Sequence, residues 1–389
     1  MSGRLLRLVC TAAVAAGIVL APVPAAAGPA AEPAPGTADD RTVAGLLTDL
    51  QQLYREAEKA TETYNGTEER LRAQRAEVRR LDAELARTRT SLHDSRGAAG
   101  RLARQQYQSS SDLSPYLRLL LARDPQHAVD QGHVIGRLAR ERVETVGRLT
   151  GDEKKADELS RRSREALGRQ AALAERQERE RDGVRERLRA VEALLASLTP
   201  EQLAALAELE SSGIAEEQER FLASGALGDD AKPSAGGESA VRFAVEQLGK
   251  PYEWGAEGPA SYDCSGLTSV AWDRAGTPIP RTSQEQWARL DHVPLDELRP
   301  GDLVVYFPEA THVAMYLGDG MVVQAPRPGA DVKVSPIAAN PVLGAVRPDP
   351  GGEPVRRYTP PRLPAGATDG SDEGYAASYA PAAPETSAR

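Results

Sequence analysis

The sequence predicts an α+β domain at residues 238–348, preceded by a long antiparallel pair of helices that we expect to form a coiled coil. Three observations carry this prediction. Apolar residues recur at heptad spacing through residues 41–224, a pattern typical of paired helices. All three tryptophans and two of the three phenylalanines lie between residues 240 and 310, so a packed core is concentrated there. In that region, helix-like periodicity changes after residue 302 to short apolar runs, an order typical of the α+β class.

Residues 1–27 have the pattern of a secretory signal peptide. Arg4 and Arg7 precede an apolar run from Leu8 to Leu20, and Ala25 to Ala27 supply a small-residue cleavage site. The alternative is an uncleaved membrane anchor, although the apolar run is shorter than the ~20 residues of a spanning helix. We expect the mature protein to be secreted or retained in the cell envelope after cleavage.

The helical region is predicted to contain two long helices joined by a turn. After a flexible leader rich in Ala, Pro and Gly at residues 28–40, the first helix is expected to break at Arg96 to Gly100. Short helices are expected around Pro115, before a second long helix that begins near Pro125 and is interrupted at Thr199-Pro200. The apolar seam of the first helix comprises Val43, Leu46, Leu50, Leu53, Ala57, Ala60, Tyr64, Leu71, Val78, Leu81, Leu85 and Leu92.

Each of these helices is mostly polar and has only a narrow apolar stripe, so each needs a partner helix that buries this stripe. An antiparallel pair within one chain is the simplest arrangement, and a parallel homodimer is the alternative. The charged residues are interpreted as the solvated faces of these helices.

The compact domain is bounded by a linker at residues 225–237 and by a tail at residues 349–389. The linker is rich in Gly, Pro and Ser, and the tail has almost nothing to bury and is predicted to be disordered. Helices are predicted over Ala240–Leu248, from Cys264 onward and over Thr282–Leu290. The predicted strands are Leu303–Phe307, Val313–Leu317, Met321–Gln324, Val332–Val334 and Gly344–Val346.

Cys264 is the candidate nucleophile. The only other cysteine, Cys10, lies in the predicted signal peptide, so the mature chain would keep a single thiol that cannot form an internal disulfide. Cys264 stands just before the apolar pattern of a helix, and a helix N-terminus lowers the pKa of a thiol. The alternative is a buried and unreactive cysteine.

A thiolate nucleophile needs a base and a group that orients the base. Of the two histidines in the compact domain, His312 begins a predicted strand, whereas His292 follows Asp291 in a polar loop and is expected at the surface. Gln324 is the polar residue of the neighbouring hairpin strand, where its carbonyl can accept a hydrogen bond from the imidazole. We therefore predict Cys264, His312 and Gln324 as the catalytic residues.

Three further residues are predicted to line the cleft. Asp263 and the backbone N–H of Cys264 lie at a helix start, where donors can face a developing oxyanion. Tyr252 and Ser265 are the other candidate substrate contacts. No set of His, Cys and carboxylates has metal-ligand spacing and no two acids stand out as a glycosidase pair, so neither a cofactor nor glycosidase chemistry is expected. The net charge of -9 argues against nucleic acid as the main partner.

Four motifs in order resemble the NlpC-type family of peptidoglycan cysteine endopeptidases, and the resemblance covers roughly residues 240–348. The motifs are Tyr252-x-Trp254-Gly255 with Tyr262-Asp263-Cys264-Ser265-Gly266-Leu267, Pro280-Arg281-Thr282-Ser283-x-x-Gln286, Leu298-x-Pro300-Gly301-Asp302-Leu303, and His312-Val313-Ala314-Met315-Tyr316-Leu317-Gly318. The resemblance implies a papain-like α+β fold and hydrolysis of peptidoglycan stem peptides between D-glutamate and a diamino acid.

By position, the resemblance makes Cys264 the nucleophile, His312 the base and Gln324 the third residue. Many members of the family have His at the third position, and others have Asn, Asp, Glu or Gln. Because Gln carries no charge, it would orient the imidazole without stabilising an imidazolium, so a lower activity is expected. The three cleft residues named above match positions that line the substrate cleft of the family.

A helical region followed by such a domain is similar to secreted cell-separation hydrolases of bacteria. The similarity implies that residues 41–223 dock on a division-site membrane complex of the FtsEX kind, or cover the cleft until activation. The expected function is a secreted peptidoglycan D,L-endopeptidase in wall remodelling or cell separation. The alternatives are a non-enzymatic scaffold or activator that only binds wall peptides, and an amidase or acyltransferase on the same fold.

Overall fold

The N-terminal arm is built from helices α1 (Val43–Ser109), α2 (Pro125–Ala196) and α3 (Pro200–Ala223). The computed structural model describes residues 42–109, 125–228, 231–370 and 372. The predicted signal peptide, the leader and the predicted short helices of the turn therefore lie outside the described residues. No described helix is both long enough and apolar enough to cross a bilayer.

Contacts between α1 and α2 show that the two helices run antiparallel. Ser95 Oγ donates to Asp152 Oδ2 at 2.6 Å, and farther along Gln74 Nε2 donates to the Ala166 carbonyl at 3.0 Å. Partner numbers thus rise along α2 as they fall along α1, which confirms the predicted antiparallel pairing within one chain. The buried apolar cluster between these helices comprises Val78, Leu81, Leu85, Leu159 and Ala166.

The predicted break at residues 96–100 is wrong, because α1 continues as one helix of 67 residues to Ser109. A glycine inside a helix costs only about 1 kcal/mol relative to alanine, and the packing of a long helix outweighs this cost. The predicted interruption at Thr199-Pro200 is confirmed. Thr199 forms a capping box with Gln202, and the proline stands in the first turn of α3, where it displaces no helical hydrogen bond.

Among the residues described after 231, three α-helices pack on a six-stranded antiparallel sheet. The helices are α4 (Ala235–Val245), α5 (Cys264–Arg274) and α6 (Ser283–Arg289). The strands are β1 (Asp291–Val293), β2 (Leu303–Tyr306), β3 (His312–Gly318), β4 (Met321–Gln324), β5 (Lys333–Pro336) and β6 (Val342–Arg347). Their order is β1-β6-β2-β3-β4-β5. The predicted papain-like α+β class is confirmed.

Different parts of the chain cover the two faces of the sheet. Leu303, Val305 and Met315 alternate along β2 and β3 and pack against α4 and α5, where Trp272 is fully buried. The side chains between them form a second cluster with Phe221 of α3. The last helix of the arm therefore supports the sheet from its other side.

The boundaries of the domain differ from the predicted ones. Helix α4 begins inside the predicted linker, with Ser234 as its N-cap. Residues 349–370, for which composition predicts disorder, make backbone hydrogen bonds to the domain, including one of 2.8 Å from the Val334 N–H to the Ala367 carbonyl. These residues are ordered because strand β5 is at the edge of the sheet, where its backbone groups can pair with another segment. The composition of the tail does not show that such an edge is available. Residues 371 and 373–389 of the tail lie outside the described residues.

Candidate active site

Cys264 is the first residue of α5, and the helix begins there because Asp263 caps it. The Asp263 carboxylate accepts a hydrogen bond from the Gly266 N–H at 2.6 Å. Glycine is required at position 266, since a Cβ there would lie 2.2 Å from the Ala256 carbonyl oxygen. The predicted placement of Cys264 at a helix start is confirmed.

Asp263 is fully buried, and Arg281 balances its charge. Arg281 donates to both carboxylate oxygens, at 3.0 and 2.7 Å, in a bidentate ion pair. The Gly255 N–H donates to Asp263 at 2.9 Å and ties the preceding motif to the start of α5. Asp263 thus positions the helix that carries Cys264, while its contact with a substrate stays a prediction.

His312 is the first residue of β3, and Gln324 on β4 orients its ring. His312 Nε2 lies 2.6 Å from Gln324 Oε1, and the Gln324 amide nitrogen donates to Ser335 Oγ at 2.8 Å. Because the amide oxygen is the acceptor, Nε2 carries the proton and Nδ1 keeps its lone pair. Within the described part of the chain, Nδ1 has no hydrogen-bond partner. A general base needs such a lone pair.

Helix α1 lies across the Cys264 side chain. Glu62 Oε1 accepts from Ser265 Oγ at 2.8 Å, and Glu62 Oε2 accepts from the Ser283 N–H at 2.8 Å. The same Oε1 lies 3.9 Å from Cys264 Sγ, which is itself on a residue only 3% exposed. One carboxylate from the arm therefore bridges the starts of α5 and α6 and shields the thiol.

One helical turn earlier, Glu58 lies against the imidazole. Its Oε1 is 3.9 Å from His312 Nδ1, the nitrogen that keeps the lone pair. Residues four apart on a helix share one face, with Cβ atoms about 5–6 Å apart. Cys264 and His312 therefore lie beneath neighbouring turns of one helix face. A Cys–His pair requires this placement on the same side of the domain.

Further contacts extend this face of α1. Asn65 Nδ2 donates to Asp263 Oδ2 at 3.0 Å, and Arg72 forms an ion pair of 2.9 Å with Glu257 at the edge of the domain. We call the α1 residues that contact the domain the contact stripe. The contact stripe comprises Tyr54, Glu58, Glu62, Tyr64, Asn65 and Arg72.

Burial under α1 keeps the thiol protonated. It raises the pKa of Cys264 well above the usual value, and the negative charges of Glu62, Asp263 and Glu58 add to the effect. The sequence-based expectation that the helix N-terminus lowers this pKa is wrong for the covered state, because burial outweighs the helix dipole.

The pKa values of the imidazole and of Glu62 move in opposite senses. Burial lowers the pKa of His312 to about 4, and the charge of Arg327 contributes to the shift. Burial and the charge of Asp263 raise the pKa of Glu62 to about 7, although Arg281 favours the carboxylate. At neutral pH the covered site therefore holds a neutral thiol beside a neutral imidazole.

Comparison with known proteins assigns this region to a family, since the NlpC/P60 family model matches residues 249–344. This region is an NlpC/P60 domain. The match covers about a quarter of the chain and confirms the family resemblance of the motifs. The helical arm lies outside it.

Relatives of the NlpC/P60 domain are named as endopeptidases. A probable endopeptidase of Corynebacterium glutamicum is 47% identical over 96 residues, which are 24% of this chain and 46% of that protein. A probable endopeptidase of Mycobacterium tuberculosis is 37% identical over 116 residues, 29% of this chain and 30% of that protein. The murein DD-endopeptidase MepH of Escherichia coli is 36% identical over 126 residues, 30% of this chain and 46% of that protein. The chain thus spans less than half the length of each relative.

The other predicted site residues of the NlpC/P60 domain lie beside Cys264. Tyr252 is buried, and burial raises the pKa of its hydroxyl well above the usual value. Ser265 is fully buried and accepts a hydrogen bond of 3.0 Å from Arg281. His292 is exposed, as predicted, although it lies in strand β1 rather than in a loop.

The α1 residues that contact the NlpC/P60 domain could not be recognised from the sequence, because most of them are polar and resemble a solvated helix face. The signal lies in their spacing. Tyr54, Glu58, Glu62, Asn65 and Arg72 follow steps of four, four, three and seven along the chain, which keeps them on one face beside the apolar seam. A stripe parallel to a seam indicates a second binding face, although it does not identify the partner.

Proposed function

We propose that this protein is a secreted peptidoglycan D,L-endopeptidase whose cleft stays covered until α1 is displaced. One observation carries the proposal: Cys264 and His312 lie beneath neighbouring turns of α1, inside an NlpC/P60 domain. Cys264 is the nucleophile, His312 is the base, and Gln324 orients the base through its 2.6 Å contact with Nε2.

The chemistry begins when α1 moves away and the site regains water. The Cys264 proton passes to His312 Nδ1, and the thiolate attacks the carbonyl carbon of the D-glutamyl amide. The developing oxyanion faces the N–H groups at the start of α5. The imidazolium then gives its proton to the leaving amine. Water, deprotonated by Nδ1, hydrolyses the thioester and restores the thiol.

Restraint by the arm is supported by the state of the covered groups. A substrate carbonyl cannot reach a thiol that is 3% exposed and lies beneath Glu62. The shifted pKa values also keep the thiolate–imidazolium pair from forming. Displacing α1 therefore both opens the cleft and restores the reactive charges.

The bond cleaved is proposed from the cleft motifs. Tyr252, Asp263 and Ser265 surround the nucleophile and are the proposed contacts to the stem peptide. The relative from Escherichia coli is a murein DD-endopeptidase, so a D,D cross-link is the second candidate bond.

We propose that the protein acts outside the membrane after cleavage of residues 1–27, and that the arm recruits it to a division-site membrane complex of the FtsEX kind. Exposed apolar side chains near the C-terminal end of α1 and in the first third of α2 support docking there, notably Tyr107 (84% exposed) and Val143 (73%). Substituting both with Asp should abolish recruitment to the division site without changing catalysis by an uncovered enzyme. Unchanged recruitment would contradict this role.

The test of the activity uses the chain from residue 28 onward, because α3 covers one face of the sheet and its removal would expose apolar surface. Glu62→Arg removes the acceptor of two hydrogen bonds and places a second cation beside Arg281, so α1 should detach. Glu56→Arg makes the same charge change on the exposed face of α1 and is the matched control.

Purified muropeptides are incubated with each variant, and the products are identified by mass spectrometry. We expect Glu62→Arg to cleave between D-glutamate and the diamino acid at least about tenfold faster than the wild type, since 1.4 kcal/mol of lost restraint is a factor of ten. Glu56→Arg should match the wild type, and Cys264→Ala should abolish cleavage.

Other products would decide between the alternatives. Cleavage only at D,D cross-links would reassign the bond, and release of whole stem peptides from glycan would indicate an amidase. If Glu62→Arg bound muropeptides without cleaving them, the non-enzymatic scaffold would replace the endopeptidase.

A further inference from the structure

Asp372 lies beyond the end of the NlpC/P60 match and yet contacts its catalytic centre. Its side chain is buried, and the residue is 6% exposed. Asp372 Oδ1 accepts from Gln324 Nε2 at 3.0 Å and from Ser335 Oγ at 2.5 Å. The carboxylate thus stands directly behind the amide that orients His312.

The segment before Asp372 is held against strand β5. The Val334 N–H donates to the Ala367 carbonyl at 2.8 Å, and Lys333 Nζ donates to the Gly370 carbonyl at 2.5 Å. Lys333 Nζ also lies 3.5 Å from Asp372 Oδ2. Both the edge strand and a buried cation therefore fix the carboxylate in place.

Asp372 determines which end of the Gln324 amide faces the imidazole. A carboxylate only accepts hydrogen bonds, so it holds the amide nitrogen and leaves Oε1 toward His312. Ser335 alone does not enforce this orientation, because a hydroxyl both donates and accepts. A reversed amide would place two oxygens against each other at Asp372 and two donors against each other at His312.

The carboxylate also supplies a charge that Gln324 lacks. An imidazolium forms at His312 during catalysis, and Asp372 can stabilise it through the polarised amide between them. Other charged and titratable groups also face the hydrogen-bonded series His312, Gln324 and Asp372. They are Lys333 beside Asp372, Tyr306 against the imidazole ring, and Glu58 and Arg327 near His312.

We propose that Asp372 is a positioning residue for His312 that acts through Gln324, which extends the catalytic chain to Cys264, His312, Gln324 and Asp372. The proposal rests on the proposed function, because it presumes that His312 serves as the base. It assigns a role in the site to the segment after residue 349.

The test uses the chain from residue 28 with Glu62→Arg, in which the cleft is expected to be open, and adds Asp372→Asn. Asparagine keeps the size but presents an amide of either orientation, so the Gln324 amide is free to reverse. We expect kcat for muropeptide cleavage to fall about tenfold with KM little changed, as for loss of a charged hydrogen-bond partner. Asp372→Glu should restore part of the loss. Asp369→Asn, exposed in the same segment, is the matched control.

Nitrogen-15 NMR of the His312 ring gives a readout that does not depend on hydrolysis. We expect Asp372→Asn to lower the pKa of the imidazole and to reduce the population of the Nε2–H tautomer, which a merely structural role would leave unchanged. In a Gln324→Ala background, Asp372→Asn should have no further effect on kcat.

Two results would overturn the proposal: a His312 tautomer and pKa that do not respond to Asp372→Asn, or an undiminished loss of kcat in the Gln324→Ala background. If Glu62→Arg cleaves nothing with Asp372 intact, the proposed function fails, and the NMR result alone decides on Asp372.

Discussion

At the scale of single residues, the covered site holds the Cys264 thiol and the His312 imidazole in their neutral forms. Glu58 and Glu62 separate the Cys264 thiol and the His312 imidazole from water. Glu62 of α1 responds to pH in the physiological range, because its pKa rises from 4.5 to about 7 when α1 covers the domain. Its protonation is therefore coupled to the position of the helix.

Glu62→Gln should remove this coupling. The pKa of Glu62 is higher in the covered state, so its contribution to covering is complete below pH 4.5 and is lost as the pH rises to about 7. We expect the ratio of wild-type to Glu62→Gln cleavage rates to rise between about pH 5 and 7, by up to tenfold per unit, and then to level off. The ratio cancels the pH dependence of Cys264 and His312, which both proteins share. A flat ratio would contradict the coupling.

Arg281→Ala should destabilise the domain by about 3–5 kcal/mol, because it leaves the Asp263 carboxylate buried without its counter-ion. Both residues are nearly inaccessible, and their ion pair is 2.7 Å long. Denaturant unfolding measures the change, with Arg274→Ala, exposed on α5, as the control. A loss no greater than that of the control would show that Asp263 does not need Arg281.

The sequence could place Cys264 at a helix start, His312 at a strand start and Gln324 on the neighbouring hairpin strand, because these positions are readable from local pattern. It could not identify Glu62 or Asp372. Their contacts depend on how distant segments approach the domain. The spacing around Glu62 indicates a second face of α1 but not what that face contacts, and nothing in the local sequence marks Asp372. The direction of the pKa shift of the Cys264 thiol could not be predicted either, since it depends on burial by α1.

At the scale of elements, α1 contacts different parts of the chain with two of its faces. Its apolar seam packs against α2. This seam was predictable because heptad spacing places the apolar residues along one side of a helix, where they face a partner helix. Its contact stripe covers Cys264 and His312, and the polar residues of the stripe cannot be told from a solvated helix face until the partner is known. The continuity of α1 past Gly97 and Gly100 was likewise not predictable, because the packing that compensates for glycine comes from another helix.

The interactions that hold α1 over Cys264 should be strongest in the buried part of the contact stripe. Asn65→Ala removes a buried hydrogen bond to the charged Asp263, worth roughly 1.5–3 kcal/mol. Arg72→Ala removes an ion pair whose side chains are 48% and 35% exposed, worth less than about 1 kcal/mol. We therefore expect Asn65→Ala to speed alkylation of Cys264 by iodoacetamide about tenfold or more, and Arg72→Ala less than about fivefold.

Glu62→Arg sets the upper limit of this alkylation assay, and Glu56→Arg sets the baseline. A larger effect of Arg72→Ala than of Asn65→Ala would mean that the edge of the contact stripe, rather than its buried centre, holds α1 in place.

At the scale of the whole molecule, three separate parts of the chain meet at one site. The arm contributes Glu58 and Glu62, the NlpC/P60 domain contributes the proposed catalytic residues, and the C-terminal segment contributes Asp372. The α+β class and the arm were predictable from periodicity and from the clustering of aromatic residues. The role of the C-terminal segment was not predictable, because its composition gives no sign of the hydrogen bonds that it makes to the edge of the sheet.

Truncation separates the contribution of this segment from that of the remaining tail. A chain that stops after residue 348 loses the 2.8 Å ion pair between Arg299 and Asp349, the pairing of Ala367 with β5 and the carboxylate of Asp372. In the Glu62→Arg background, we expect it to unfold at least about 5 °C lower and to cleave muropeptides about tenfold more slowly. A chain that stops after residue 372 keeps all three contacts and should match the untruncated protein in both measurements. If the two truncated chains unfold and cleave alike, residues 349–372 are dispensable and the catalytic unit ends with the NlpC/P60 domain.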